Sequence, residues 1–357
     1  GLLIVKLIIN KGGIKMEFGF SKEHALLKQM YREFAENEVK PLAAEVDEME
    51  RFPVETVEKM VKAGFMGIPF PKKYGGEGGD NLGYAMAVEE LSRVCGTTGV
   101  IVSAHTSLGA HPIFEFGTEE QKEKFLVPLA KGEKLGAFGL TEPNAGTDAA
   151  GQQTTAVLDG DEYVLNGSKI FITNAGYAHT YIIMAMTDKK AGTRGISAFI
   201  VDADTPGFSV GPKEKKLGIR GSATCELIFE NCRIPKENIL GKEGIGFKVA
   251  MKTLDGGRIG IAAQALGIAQ GALDETIHYV KERKQFGRSI ANFQNTQFQL
   301  ADMAAKIESA RLLVYKAAYN KDKGLSYSYE AAMAKLVAAE TAMEVTTKCL
   351  QLFGGYG

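Results

Sequence analysis

Two stretches decide how this chain folds: Phe138–Asp148, FGLTEPNAGTD, and Lys169–Gly176, KIFITNAG. Each sets apolar residues beside small hydroxyls and turn formers. Pro143, Asn144 and Gly146 make a turn with or without a ligand, so the reading rests on what surrounds them. Between the two stretches, Ala156–Leu158, Asp159-Gly160, Tyr163–Leu165 and Asn166-Gly167 read as strand, turn, strand, turn. Tyr181–Met186, Gly195–Val201 and Cys225–Phe229 read as further strands. The period of two holds from about residue 133 to residue 241, which predicts a small all-β domain with the two loops at its edge.

On either side the period is helical. In residues 16–132, Ser21 is placed to cap a helix in which Leu27, Tyr31 and Phe34 share a face, and Pro41, Pro53 and Pro69–Pro71 punctuate the helices. The glycine-rich stretch Tyr74–Gly83 lacks both G-x-G-x-x-G before a helix and the P-loop pattern, so it predicts neither nucleotide site. In residues 242–357, Phe247–Lys284, Phe293–Asn320 and Ala331–Leu352 read as long helices, the second with Leu300, Ala304, Ile307 and Val314 on one face. Long helices with short breaks predict a bundle. The fold class is therefore mainly α with an inserted all-β domain.

The chain has 357 residues, 45% hydrophobic and 24% charged, with a net charge of −1. That balance gives no support for nucleic-acid or anionic-membrane binding, where a basic face is expected. No run approaches the ~20 apolar residues of a membrane helix. Cys95, Cys225, Cys232 and Cys349 form no C-x-x-C pair and read as free thiols of a reducing cytoplasm. The five histidines show no metal-ligand spacing. The apolar start GLLIVKLIIN lacks a basic beginning and a cleavage site. Lys11-Gly12-Gly13 stands just before Met16, and codons for those residues can spell a purine-rich ribosome-binding site. Residues 1–15 are accordingly expected to be a translated leader.

The order of helical domain, β domain and helix bundle, with LTEPNAGTD, KIFITNAG, LDGGR, RKQFGR and QLFGGYG in sequence, resembles the acyl-CoA dehydrogenase family. The likeness runs from about Phe18 to Gly357 and is greatest to short-chain (butyryl-CoA) dehydrogenases of anaerobic bacteria. It implies FAD between the β domain and the C-terminal bundle, an acyl-CoA substrate, electron-transfer flavoprotein as partner, and a homotetramer built as a dimer of dimers. It also implies a reaction in which a glutamate removes the α-proton while hydride passes from the β-carbon to flavin N5.

The residues suit that chemistry. Proton removal next to a thioester needs a base and charge stabilisation, and the hydride needs an electron sink that only a cofactor offers. An isoalloxazine ring wants an apolar face and polar donors at its edge. Phe138, Leu140 and Thr141 on one strand, with Phe171, Ile172 and Thr173 on the next, can supply both. By resemblance Thr141 meets the ring edge and Thr173 lies near N5. Phe171 stands where the family often has Trp. Thr147 stands where it usually has Ser, keeping a hydroxyl for the pantetheine of CoA. Asp255 and Arg258, three apart on one helix face, enclose Gly256 and Gly257. Two helical glycines cost about 1 kcal/mol each, which either tight helix packing or a ligand explains; the resemblance puts Asp255 and Arg258 near CoA. Arg283 suits a pyrophosphate. In the family it reaches the partner subunit's FAD together with Phe286 and Gln294, and Gln351, Gly354 and Gly355 form a further dinucleotide contact.

No catalytic residue is assigned. The family's usual Glu lies about two dozen residues past the G-G of QLFGG, beyond Gly357. Its alternative place, beside the Arg on the Asp…Arg helix, is held by Gly256 and Gly257. Glu340 and Glu344 read as a solvated helix face. The chain is thus expected to be a truncated, nearly inactive gene product. The rival readings are an acyl-CoA oxidase, an enoyl- or aryl-acryloyl-CoA reductase, a nucleic-acid-binding flavoprotein of the same fold and a non-catalytic flavoprotein. The acyl pocket floor is expected from the Tyr84–Leu108 helices.

Overall fold

The computed structural model describes residues 21–357; the expected leader at residues 1–15 lies outside the described residues. Ser21 accepts a hydrogen bond from the His24 amide at 3.1 Å and caps α1, Lys22–Phe34. A π-turn at Ala35–Val39 leads into α2, Lys40–Glu48, with Pro41 in the first turn, where its missing N–H costs nothing. α3, Val54–Lys62, follows. Asp80 caps α4, Asn81–Val94, by accepting from the Gly83 amide at 2.7 Å. α5, Gly96–Ser103, runs through a π-helical stretch, Ala104–Ala110, into α6, His111–Phe116. Two short helices, α7 at Glu119–Gln121 and α8 at Val127–Ala130, complete this part.

Seven strands form one sheet: β1 Gly136–Gly139, β2 Thr155–Asp159, β3 Glu162–Thr173, β4 Thr180–Met186, β5 Ile196–Asp202, β6 Phe208–Lys213 and β7 Thr224–Pro235. The order is β1-β4-β2-β3-β7-β6, and β5 also pairs with β4. β1 lies parallel to β4, with Phe138 opposite Ile182. β4 is buried along its whole length. Tyr181 and Ile183 point into the β core, whereas Ile182 and Met184 pack with Leu126, Leu129 and Val249 of the helical layers. Coverage on both faces explains why YIIMAM reads as a continuous apolar run rather than an alternation.

Two local readings are corrected. Asn166-Gly167 is no turn: β3 continues through it with a bulge against β7. A Cβ on Gly167 would lie 2.6 Å from Thr154 Oγ1, so the close approach of the neighbouring segment requires glycine there. Leu140 and Thr141 lie just beyond the end of β1, and the hydrogen-bonded neighbour of β1 is β4, not β3. β6, FSVGPK, has no apolar alternation and is legible only from its pairing with β7.

The C-terminal bundle consists of α9 Gly246–Glu282, a hairpin of β8 Lys284–Gln285 and β9 Arg288–Ser289, α10 Gln294–Asp322 and α11 Ser328–Phe353. It shares one core with the N-terminal helices, in which Val88 and Leu91 pack with Ala262, Ala263 and Leu266. α9 lies against α4 at backbone distance: Cβ atoms on Gly267 and Gly271 would sit 2.2 Å and 1.9 Å from the Glu89 and Arg93 carbonyl oxygens. Beside that seam the buried Glu89 accepts from Lys28 Nζ and Arg311 Nε, each at 3.1 Å, and from the Tyr315 hydroxyl. Burial pushes this carboxyl up, but the two cations outweigh it and hold it below its ordinary value.

Gly271→Val should force the two helices apart and lower stability by about 2 kcal/mol or more, read as a shift in the denaturant midpoint. An unchanged midpoint would show that the seam is not close-packed.

Candidate active site

The two motif loops are joined by a buried ion pair. Lys169, fully buried on β3, donates from Nζ to Glu142 Oε1 at 2.6 Å, to the Leu140 carbonyl at 3.2 Å and to Gln152 Oε1 at 3.1 Å. Glu142 accepts in addition from the Gln153 amide at 2.5 Å and the Thr154 amide at 3.1 Å. The Ile170 amide donates to the Thr141 carbonyl at 2.8 Å. Three of these contacts hold Leu140–Glu142 against Lys169–Ile170, although the strands that carry them are not sheet neighbours. Burial pulls the Lys169 ammonium down to about 8, against the upward pull of Glu142. Burial pushes Glu142 up, but Lys169 and the amide donors outweigh it and leave the carboxyl below its ordinary value. Neither residue was singled out from the sequence. The signal available was a Glu and a Lys inside two otherwise apolar motifs.

Past Lys169 the strand breaks register. Phe171 takes φ +60° and Asn174 φ +67°, a left-handed conformation that is a true outlier for a bulky Phe. The first twist turns the Phe171 ring outward, where it is 60% exposed, while Ile172 sends its side chain into the β core. Ile172 therefore offers a ligand only its backbone. Thr173 stands half-buried between Ile172 and Asn174, paired with Thr224. Leu140 is buried, Phe138 and Thr141 are half-buried, and Thr147 is exposed on a turn beside Gly146, whose missing Cβ faces open space. The result is a ledge with an exposed ring, half-buried hydroxyls and strained backbone, held rigid from behind.

Asp255 and Arg258 form an ion pair on α9. The glycines between them are filled by neighbours: a Cβ on Gly256 would lie 3.1 Å from Lys321 Nζ, and one on Gly257 would lie 2.8 Å from Leu108 Cδ2. Tight packing thus accounts for both glycines, and the atoms they meet are flexible side-chain ends that a ligand can displace. Burial pulls Lys321 down to about 8. Arg258 also lines an open groove of about 570 Å³ with Ala332, Leu336, Glu340 and Met343. Glu340 is exposed there. Glu344 is held down at about 2 by its bonds to Lys306 and Lys348.

The remaining expected residues meet at the far end of the bundle. The Arg283 guanidinium lies 5.8 Å from the centre of the Tyr356 ring. Phe286 is 93% exposed at φ +52°, 6.2 Å from Phe293. Gln294, Gln351, Gly354 and Gly355 are exposed, and the missing Cβ atoms of both glycines face open space. Tyr279 stacks on Phe353 at 4.3 Å and ties α9 to α11 here. One chain does not unite this set with the ledge. Gly260 packs beside Ser103 of α5, and Arg283 lies about 35 Å further along α9 at ~1.5 Å per residue.

Known proteins share this arrangement. The acyl-CoA dehydrogenase N-terminal, middle and C-terminal domain families match residues 21–133, 137–232 and 244–357. This chain belongs to the acyl-CoA dehydrogenase family. It is 67% identical over 342 residues to the short-chain-specific acyl-CoA dehydrogenase of Clostridium acetobutylicum, covering 96% of this chain and 90% of that protein. It superposes on butyryl-CoA dehydrogenase from Megasphaera elsdenii with a TM-score of 0.94 at 52% identity, covering 96% of this chain and 90% of the other. A chain from the structure described as the electron transferring flavoprotein of Acidaminococcus fermentans matches with a TM-score of 0.95 at 59% identity over the same shares. As an acyl-CoA dehydrogenase the protein is a flavin-dependent oxidoreductase of the CH–CH group, and FAD is its cofactor. The ledge fits a flat ring and the bundle end fits a dinucleotide phosphate. Among the described residues no helix is long and apolar enough to cross a membrane.

Lys169→Met leaves the Glu142 carboxylate buried without its cation and should cost about 3–5 kcal/mol; Lys169→Met with Glu142→Leu should recover most of it. Because Glu142 lies below its ordinary value when folded, its contribution is complete above pH 4.5 and is lost as pH falls through the lower folded value. Lys169 has the same sign in a higher window: its folded value is also depressed, so its burial penalty fades as pH rises from about 8 to 10.5. Equal denaturant midpoints for the single and double variants would show that the pair is not coupled.

Proposed function

We propose that the protein oxidises short-chain acyl-CoA to trans-2-enoyl-CoA, or runs the reverse reaction, and that the ledge between the two motif loops receives the FAD ring. The observation that carries this is the clamped pair of loops, with the Phe171 ring turned outward and Thr141 and Thr173 beside it. When bound, FAD supplies the electron sink that no side chain offers. Phe138 and Phe171 give the ring an apolar surface, and the backbone and hydroxyls of Thr141 and Thr173 face its edge and N5. Rigidity matters because donors fixed beforehand need no reorganisation during reaction. Thr147 presents its hydroxyl to the pantetheine arm, and Asp255 and Arg258 anchor CoA on α9.

Abstraction of the α-proton calls for a carboxylate. Gly256 and Gly257 supply none, and Glu344 is occupied by two lysines; the base is assigned to no described residue. We also read Arg283, Phe286, Gln294, Gln351, Gly354 and Gly355 as the contribution of a second copy, since one chain holds the two halves of the site far apart. A dimer of dimers meets that need, with electron-transfer flavoprotein as the electron acceptor and the cytoplasm as location.

Protein loaded with FAD and mixed anaerobically with butyryl-CoA should show a perturbed visible flavin spectrum, at lower concentration than with longer chains; an unchanged spectrum with every acyl-CoA would overturn the reading. Arg283→Glu should weaken FAD retention at least about tenfold, the size of a lost charged hydrogen bond, measured by flavin fluorescence. Retention equal to the parent's would remove Arg283 from the site.

A further inference from the structure

Asn174, the residue after Thr173, is fully buried near the end of KIFITNAG. Backbone pairing holds Thr173 on one side only. There it lies opposite Thr224 of β7, and the Asn174 amide continues that edge by donating to the Ala223 carbonyl at 2.9 Å. Toward the segment that leaves β1, the last backbone bond is the one from Ile170 to Thr141. Residues 171–173 make none on that side among the described residues. The Asn174 side chain closes it. Its Nδ2 donates to the Gly136 carbonyl of β1 at 3.3 Å and to the Ile101 carbonyl of α5 at 3.2 Å.

Both acceptors are fixed in turn. The Gly136 amide donates to Nδ1 of the buried His105 at 3.0 Å, and His105 donates from Nε2 to the Leu129 carbonyl at 3.1 Å. One neutral tautomer, with the proton on Nε2, serves both bonds. A Cβ on Gly136 would sit 3.0 Å from Gly109 Cα, so β1 lies directly on the π-helical stretch. Ile101 is fully buried within α5. Asn174 therefore ties its loop to two rigid elements other than β7. A separate anchor holds the outer end of the loop, where Tyr177 stacks on Phe52 with ring centres 3.9 Å apart.

An asparagine is a costly choice here. Its backbone is left-handed, and its Oδ1 is buried with no partner among the described residues. Glycine would relieve both costs but would lose the two donors. The donors, not the turn, are what the asparagine adds, and strain of this kind gathers where function needs a fixed geometry.

We infer that Asn174 is a positioning residue for the flavin: its two amide donors hold Thr173, and with it the hydroxyl that meets N5, at one place on the ledge. This rests on the ledge being the flavin site. A hydroxyl fixed at N5 accepts from the ring when hydrogen is carried there, so it favours the reduced form. Loosening it shifts bound FAD toward the oxidised form.

Asn174→Gly is the informative change, because glycine takes the left-handed backbone without strain and removes only the donors. In FAD-loaded protein equilibrated with a reference dye of known potential, the ratio of oxidised to reduced FAD should rise about fivefold, the size of one lost hydrogen bond, and the visible flavin bands should shift. The measurement needs neither acyl-CoA nor a catalytic base. Asn174→Ser keeps one donor; it should give a smaller shift in the same direction, and it carries the test if the glycine variant fails to fold. Thr173→Ala should shift the ratio as Asn174→Gly does. Tyr177→Leu loosens the outer end of the same loop and should leave ratio and bands as in the parent. If Thr173→Ala moves the ratio and the Asn174 variants do not, the inference falls and the ledge stands. If none of them moves it, the ledge reading falls and takes the inference with it. Equal shifts from Tyr177→Leu and Asn174→Gly would make Asn174 a general support of the loop and overturn the inference too.

Discussion

The buried contact between Lys169 and Glu142 is the constraint on which the site depends. A lysine ammonium taken out of water is stable only with an anion and acceptors close by, and Lys169 finds them in Glu142, the Leu140 carbonyl and Gln152. Those partners all belong to the segment that leaves β1 and returns into β2. Satisfying one buried charge therefore forces the TEPNAG turn onto β3 at a single register. The next residues of β3 break that register and swing Phe171 outward. Without the pair, the loops would be two turns on a sheet surface with no fixed distance between them.

Close backbone packing plays the matching part in the helical layers. Gly267 and Gly271 let α9 lie on α4, Gly257 and Gly260 let it meet Leu108 and Ser103, and Gly109 meets Gly136 on β1. Small residues at these places align the β domain, the π-helical stretch and α9 within one framework. Position errors of an ångström at a hydride-transfer site cost large factors in rate, so glycines chosen for proximity serve chemistry without touching a ligand. α9 also separates the site into two sets of residues, which is why a second copy of the chain is part of the functional reading.

Much of this was legible beforehand. The change of period from helix to strand and back, the long helices after Gly244 and the cap at Ser21 follow from local physics: spacing, turn residues and capping. The motifs LTEPNAGTD and KIFITNAG marked the ledge because hydroxyls, glycines and turn formers concentrate there. Asn166-Gly167 misled because its dipeptide favours a turn, whereas a neighbouring strand held it in a bulge. Lys169, Glu142, His105 and Asn174 were passed over for a common reason. Each acts through partners distant in sequence, such as Asn174 on Ile101 and Gly136.

By itself, then, the sequence determined the order of helical part, β part and helix bundle and the family to which the chain belongs, since these depend on periodicity and on motifs whose residues are neighbours in the chain. Only the tertiary structure decided which side chains are buried in pairs, which way Phe171 faces, and that Arg283 lies far along α9 from the ledge. Those outcomes turn on desolvation and on contacts between residues 27 to 222 positions apart, such as Lys28 and Arg311 on Glu89 or Lys169 on Glu142. Local preferences carry no information about such pairs until the chain has closed around them.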